Sequence, residues 1–244
     1  TVSVDVGWNF IGSISSALPV SDLVTVPPGL LSRYIYGFDG GSFLASEIEP
    51  GKGYWVVATA PGMVVISDAG GSAGGGTTIP RVDSNLNELT LVSATGERQG
   101  LYFSFDADAT SAFPAPPSPP GGSFSALFRR QTPGEGGTMV ELMTARDASS
   151  SSLPVVLSNA ALPMSLEWKI APGNHAARLS TGSGASVELT GTGRLDLFTP
   201  ELTGSGESTL FLSTRGDGTD DVPGSYDLGQ NYPNPFNGTT VIPF

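Results

Sequence analysis

Glycine and proline interrupt this chain along its whole length, and they constrain its fold more than any other feature. The 244 residues include 33 glycines and 20 prolines, which together exceed a fifth of the chain. Both residue types destabilise helix interiors, and both are favoured in turns. The short runs between them are rich in valine, isoleucine and aromatic residues, which are typical of strands. We therefore predict an all-β protein with one helical turn near residues 20–24.

Residues 1–68 are predicted to form a small β-barrel or sandwich unit. Residues 2–6 alternate between apolar and polar side chains, as expected of a half-buried strand. Two apolar runs, 54–58 and 63–67, are separated by a turn that contains Pro61 and Gly62. This arrangement predicts a hairpin between the two runs.

The rest of the chain is predicted to contain a second, larger β unit between two linkers. Residues 69–80 are glycine-rich and predict a flexible linker, and residues 215–225 predict a polar one. Strands that recur about every ten residues predict a jelly-roll-like β-sandwich over residues 81–214. The proline run 113–120 is expected to be extended. The predicted strands are 88–93, 100–105, 123–129, 138–143, 154–157, 164–170, 177–180, 186–190, 194–198 and 208–213.

The last nineteen residues, 226–244, read Y-D-L-G-Q-N-Y-P-N-P-F-N-G-T-T-V-I-P-F. Pro233 and Pro235 each fix a backbone φ angle and remove a hydrogen-bond donor, and the neighbouring asparagines favour turns. A rigid turn segment is therefore expected to lead into a strand at 239–244.

This Q-N-Y-P-N-P-F-N run resembles the start of a type A C-terminal sorting domain of the type IX secretion system, which exports proteins across the outer membrane of Bacteroidota and related bacteria. The resemblance implies recognition by the type IX machinery, an extracellular or outer-surface location, and cleavage or attachment to surface polysaccharide. Because the motif is truncated at Phe244, we expect the chain to be a portion of a longer polypeptide. By this resemblance the sorting signal comprises Asn231, Tyr232, Pro233, Asn234, Pro235, Phe236 and Asn237.

A second set of patterns points in the same direction. The runs G-W-N-F-I-G, Y-x-Y-x-F-D-G-G and E-P-G-K-G-Y-W-V, all within the first unit, resemble a module common before type IX sorting tails. In that module the glycine and aromatic positions are structural. The run P-M-S-L-E-W-K-I of the second unit resembles the sandwich that precedes such tails.

Composition excludes several classes of function. The net charge of −12 disfavours binding to the nucleic-acid backbone, which is itself anionic. The chain has no cysteine, which excludes disulfides, thiolate metal sites and a cysteine nucleophile. Nowhere does an apolar run approach the roughly 20 residues that a membrane-spanning helix needs, so we predict no membrane span.

Residues with catalytic potential are few, and we predict that the chain is not an enzyme. His175 is the single histidine, and it lies in a predicted turn. Ser72 stands in a G-G-S-A-G string that matches a nucleophile elbow, but it lies in the glycine linker without the strand and helix that an elbow requires. Carboxylates in predicted strands are expected to point to solvent rather than to form a catalytic pair. They are Glu141, Glu167 and Glu188.

Clustered carboxylates provide one candidate cofactor site, for calcium. Asp217, Asp220 and Asp221 lie within five residues, and Asp106 with Asp108 forms a second pair. Neither group has the spacing of a twelve-residue calcium loop. Solvated turn aspartates are the alternative, and no other cofactor is predicted.

Aromatic residues provide a candidate glycan platform in the first unit. Tyr34, Tyr36 and Trp55 lie in neighbouring predicted strands, and exposed aromatic rings can stack on sugars. Alternation places Tyr34 and Tyr36 on the same face of their strand. The alternative is that these rings belong to the core of a small domain.

These observations predict a non-catalytic structural, adhesive or accessory module of an exported bacterial protein. One alternative is a carbohydrate-binding β-sandwich whose partner is surface polysaccharide. Another is a subunit of a surface assembly, in which the strand 239–244 adds to the open sheet edge of a neighbouring protein.

Overall fold

Strands account for nearly all of the regular structure, so the all-β prediction is confirmed. The computed structural model describes residues 1–67, 85–118, 123–129, 137–198, 200 and 207–214. Within these ranges the helical elements are a 3₁₀ turn, Val20–Asp22, and a short helix α1, Ala145–Ser150. The 3₁₀ turn confirms the helical turn expected near residues 20–24, whereas α1 is not predicted. Thr144 caps α1, because its hydroxyl accepts a hydrogen bond from the Asp147 N–H at 3.2 Å.

Within residues 1–67 the strands form three small sheets around a core of their own. Strands β2, β8, β5 and β6 form one sheet in that order, β1, β9 and β4 form the second, and β3 with β7 forms the third. In β8 the buried residues alternate, as the sequence predicts, and contact a core that includes Ile11 and Val64. The strands are β1 (Val2–Val4), β2 (Gly7–Gly12), β3 (Leu18–Pro19), β4 (Val24–Val26), β5 (Tyr36–Phe38), β6 (Ser42–Leu44), β7 (Glu47–Ile48), β8 (Gly53–Ala58) and β9 (Gly62–Val65).

The predicted hairpin between residues 54–58 and 63–67 does not form. Strand β8 pairs with β2 and β5, whereas β9 pairs with β1 and β4 in a different sheet. The chain changes sheets at Thr59, whose N–H and hydroxyl both donate to the Leu30 carbonyl, at 2.9 and 3.0 Å. The prediction is wrong because a turn between two apolar runs does not determine which strands those runs pair with.

The described strands of residues 85–214 join one curled, nearly closed, barrel-like sheet. Their order is β18-β17-β20-β15-β13-β14-β11-β10-β16-β19, and β12 branches from β14. Neighbours are antiparallel except for β11 and β14, which are parallel. The strands are β10 (Asn87–Val92), β11 (Arg98–Ser104), β12 (Ser111–Pro114), β13 (Ser125–Phe128), β14 (Thr138–Leu142), β15 (Leu153–Ser158), β16 (Met164–Lys169), β17 (Ala177–Thr181), β18 (Ser186–Leu189), β19 (Thr192–Phe198) and β20 (Glu207–Thr214).

The chain passes directly from one edge of the curled sheet to the other. Strands β18 and β19 lie at opposite ends of the strand order, yet Thr190 and Gly191 alone connect them in sequence. Trp168 of β16 fixes this crossing, because its indole N–H donates to the Thr190 carbonyl at 3.2 Å. Gly193 leaves room for the indole, since a Cβ there would lie 2.2 Å from the ring. The two edges are therefore brought together at this end.

Besides its own core, the first β segment contributes residues to the core of the curled sheet. Strand β11 is buried from Gln99 to Ser104, and the β5–β6 hairpin of the first segment lies against it. Tyr34, Tyr36 and Leu44 consequently belong to the core of the curled sheet. The described residues up to Thr214 form one compact unit. The predicted linkers at 69–80 and 215–225 lie outside the described residues.

Candidate functional site

A polar groove of about 440 Å³ lies between the β5–β6 hairpin and strands β10 and β11. Strand alternation and register place Glu88, Thr90, Gly100 and Tyr102 on the same face of β10 and β11, opposite the buried leucines of β10. The hairpin provides the other wall, which includes Asp39, Ser42 and Phe43. The groove is therefore built from residues about fifty positions apart in sequence.

Backbone contacts hold the hairpin against β11. The Arg98 N–H donates to the Gly40 carbonyl at 2.9 Å, and the Gln99 side-chain amide exchanges two hydrogen bonds of 3.4 Å with the backbone of Ser42. Gly41 permits this approach, since a Cβ at its position would stand 1.1 Å from the Arg98 carbonyl oxygen. The close packing of the hairpin wall against β11 thus depends on the absence of a side chain at Gly41.

Tyr102 contributes a buried hydroxyl to the groove. Its side chain is only 7% exposed, and the hydroxyl oxygen accepts the Leu44 N–H at 3.2 Å. In the described part of the chain, no residue accepts the Tyr102 proton. Burial, and secondarily the charge of Glu88, raises the pKa of Tyr102 well above its ordinary value, so the hydroxyl stays a donor. Gly100 keeps the space beside it open, because a Cβ there would lie 3.0 Å from the hydroxyl oxygen.

A network of opposite charges extends the groove across the sheet. A second depression, of about 180 Å³, shares Glu88, Thr90 and Arg98 with the groove and continues to Glu167. Glu167 accepts from Arg98 at 2.5 Å and from Arg194 at 2.7 Å, so each of its two carboxylate oxygens bonds to one guanidinium group. The carboxylate of Glu88 accepts only the Thr90 hydroxyl, at 3.3 Å, among the described residues. Glu88 thus retains acceptor capacity that faces the groove.

The charge network ends at an arginine–aspartate pair on β19, Arg194 and Asp196. The Arg194 Nε donates to Asp196 at 2.7 Å, and the Ser165 hydroxyl donates to the same carboxylate oxygen at 2.9 Å. These two hydrogen bonds, with the arginine bond as the larger cause, lower the pKa of Asp196 below its ordinary value. Both charged side chains are largely exposed, so their contribution to stability is small.

His175 pairs with a residue that the sequence had not linked to it. Its Nδ1 lies 2.6 Å from Asp106 Oδ1, and its backbone N–H donates to Asp106 Oδ2 at 3.2 Å. A serine triad also contains a histidine beside a carboxylate, but within the described ranges no hydroxyl bonds to His175. Ser72 lies outside those ranges. The pair joins the loop after β16 to the loop after β11.

The three glutamates weighed for acid–base chemistry occupy unrelated environments. Glu141 is 7% exposed and accepts the Thr138 hydroxyl, so the expectation that it points to solvent is wrong. The reason is that β14 is a central strand, flanked by β11, β12 and β13, and all five of its residues are buried. Glu167 bridges two arginines, and Glu188 lies 3.4 Å from Arg178. The structure does not bring any two of the three together.

The predicted glycan platform does not form from its three residues. Tyr34 and Tyr36 are 1% and 2% exposed, because their side chains lie in the core shared by the two segments. The ring of Tyr34 contacts Phe113 edge-on, with centroids 4.7 Å apart. Trp55 is half-buried and contacts Phe10 at 5.1 Å. Buried tyrosine rings cannot stack on a sugar, so this prediction is wrong for Tyr34 and Tyr36.

Several predicted sites lie outside the described residues. They are the sorting signal Asn231–Asn237, the candidate calcium ligands Asp217, Asp220 and Asp221, and the strand expected at 239–244. Among the residues that the structure does describe, no group of three or more histidines and carboxylates is placed to hold a metal ion. The described helices also include none with the length and apolar character needed to cross a lipid bilayer.

The groove is the feature that sequence reasoning missed. One signal for it was present: Gly100 lies inside strand β11, and a glycine inside a strand often marks the close approach of a ligand or another backbone. Comparison with known proteins adds no further assignment, since no protein-family model, curated protein or solved structure matches this chain.

Proposed function

We propose that this chain is a non-catalytic structural or adhesive accessory module of a bacterial protein that the type IX secretion system exports to the cell surface or the medium. The observation that carries the proposal is the run Asn231–Asn237, with its two prolines, three asparagines and two aromatic rings. The glycine and aromatic patterns of the first segment support it independently. The proposal assigns no reaction to the chain, so turnover of a hydrolase substrate by the purified polypeptide would contradict it.

The export step is tested in cells. An epitope-tagged copy of the gene product that contains this chain is expressed in a host with the type IX exporter and in an otherwise identical host without it. We expect the tag outside the cell only in the first host. A matched variant replaces Tyr232, Pro233 and Phe236 with alanine, and we expect it to accumulate in the periplasm.

The control for this experiment changes a residue remote from the motif. E188Q alters one exposed carboxylate of an ion pair on β18 and should leave export unchanged. Retention of the unaltered protein in the periplasm of the exporter-positive host would refute the proposal. Equal release from both hosts would refute it as well.

A further inference from the structure

We propose that the groove between the β5–β6 hairpin and strands β10 and β11 is a binding site for a carbohydrate chain. This inference goes beyond the proposed function and does not depend on how the chain is exported. It also places the site away from Tyr34 and Tyr36, which are buried.

The lining excludes most other classes of ligand. Asp39 and Glu88 disfavour a phosphate or another anion, and their effect is reinforced by the net charge of −12. A hard divalent cation requires several clustered oxygen ligands, and the described residues contain no group of three carboxylates or histidines arranged for one. An apolar ligand would leave the carboxylates and hydroxyls of the groove unpaired. A neutral ligand rich in hydroxyl groups satisfies all of them.

Donors and acceptors in the groove match the hydroxyl groups of a sugar. The Tyr102 hydroxyl has a proton without an acceptor among the described residues, although the side chain is more than nine-tenths buried. Glu88 keeps free acceptor positions beside it, and the Thr90 hydroxyl, which donates to Glu88, lines both the groove and the second depression. A sugar hydroxyl both donates and accepts, so one such group can bridge Tyr102 and Glu88. Phe43, half-buried in the opposite wall, provides an apolar surface for the sugar ring.

The shape of the site favours a chain of sugars over a single one. The groove of about 440 Å³ continues through Thr90 and Arg98 into the depression of about 180 Å³ on β16. Lys169 and the paired Arg98 and Glu167 line that extension, and each can bond to sugar hydroxyls. Together the groove and the depression cross three neighbouring strands, β11, β10 and β16, and this length suits an extended polymer.

A basic peptide is the competing occupant, because two carboxylates line the groove. The arginine at position 98 opposes it, since its guanidinium lies at the junction of the two depressions. An oligolysine peptide is therefore included in the test as a separate arm. Binding of that peptide with no binding of any polysaccharide would overturn the inference.

The experiment measures the retardation of the purified full chain in native gels that contain a polysaccharide. The polysaccharides are cellulose derivatives, xylan, mannan, dextran, laminarin and soluble chitin. For any polymer that retards the chain, calorimetry with its oligosaccharides then measures the affinity. We expect retardation by at least one polymer. E88Q should weaken binding about tenfold, because it removes a charged acceptor without changing shape, and Y102F about three- to tenfold. The matched control E188Q, remote from the groove, should bind as the unaltered chain does.

Each outcome decides the question. Absence of retardation by every polymer of the panel overturns the inference, as does binding that E88Q and Y102F leave unchanged. Because Y102F also removes the acceptor of the Leu44 N–H, its thermal unfolding is recorded beside that of E88Q, which loses no contact of the hairpin. A loss of binding in E88Q with unchanged unfolding supports the groove directly.

Discussion

Replacing Gly41 with alanine should detach the β5–β6 hairpin from strand β11. The added Cβ would lie 1.1 Å from the Arg98 carbonyl oxygen, whereas ordinary contacts begin at 3.4 Å, so the hairpin backbone must retreat by more than 2 Å. No side-chain rotation can relieve this overlap, since the opposing atom belongs to the backbone of a central strand. That movement breaks the bond from Arg98 N–H to Gly40 and both bonds between Gln99 and Ser42.

The cost follows from those three hydrogen bonds. Each contributes about 1 kcal/mol, and the Gln99 amide oxygen, left buried without a donor, adds about 1–2 kcal/mol. We therefore expect G41A to lower the free energy of unfolding by about 4–5 kcal/mol, a large share of the about 5–15 kcal/mol typical of a folded domain. Loss of apolar contact at Leu44 would increase the effect.

Urea unfolding followed by tryptophan fluorescence measures this change, because Trp8 and Trp55 contact the shared core. The matched control is G12A: Gly12 also lies in a strand of the first segment, and a Cβ there meets no atom within 4 Å. We expect G12A to stay within about 0.5 kcal/mol of the unaltered chain. A G41A variant that loses less than about 1 kcal/mol would refute the reasoning, since it would mean that the hairpin does not touch β11.

Three further changes test other parts of the fold. Burial raises the pKa of Tyr102, so the unaltered chain keeps the full contribution of the neutral hydroxyl below about pH 10 and loses stability as the pH rises above it. Y102F has no such group. Between about pH 10 and 12 its free energy of unfolding, measured with urea, should therefore fall by about 1.4 kcal/mol less per pH unit than that of the unaltered chain. T144A should lower the free energy of unfolding by about 1 kcal/mol by removing the α1 cap, and T144S, which keeps the hydroxyl, should not. G193A should displace the Trp168 indole from the Thr190 carbonyl, with a loss of about 1–3 kcal/mol and a shift in tryptophan emission; an unchanged spectrum would contradict this.

Local sequence patterns predicted the elements of this fold well. The strands predicted at 54–58 and 88–93 correspond to β8 and β10, and the helical turn expected near residues 20–24 corresponds to the 3₁₀ turn Val20–Asp22. These features depend on neighbours in sequence, which is why a single chain reveals them. The short helix α1 escaped prediction because its serine-rich composition favours caps and turns over a helix interior.

Pairing between distant strands could not be predicted in the same way. Strand β10 pairs with β16 across more than seventy residues, and nothing in either strand specifies the other. The same limit explains Tyr36, whose face was predicted correctly but whose burial depends on the curled sheet beside it. Glu141 is the clearest case, since the strand context that buries it comes from three separate segments.

The groove is formed by this nonlocal packing, so ligand binding in the groove should be coupled to the stability of the fold. One wall, with Asp39, belongs to the hairpin, and the other, with Glu88, belongs to β10. A ligand that bridges both walls binds the docked hairpin only, so at a hundred times its dissociation constant it should raise the free energy of unfolding by about 2.7 kcal/mol. G41A should then lose ligand binding and stability together, whereas E88Q should lose binding alone. Binding that persists in G41A would show that the ligand contacts one wall only, and the bridging geometry would have to be abandoned.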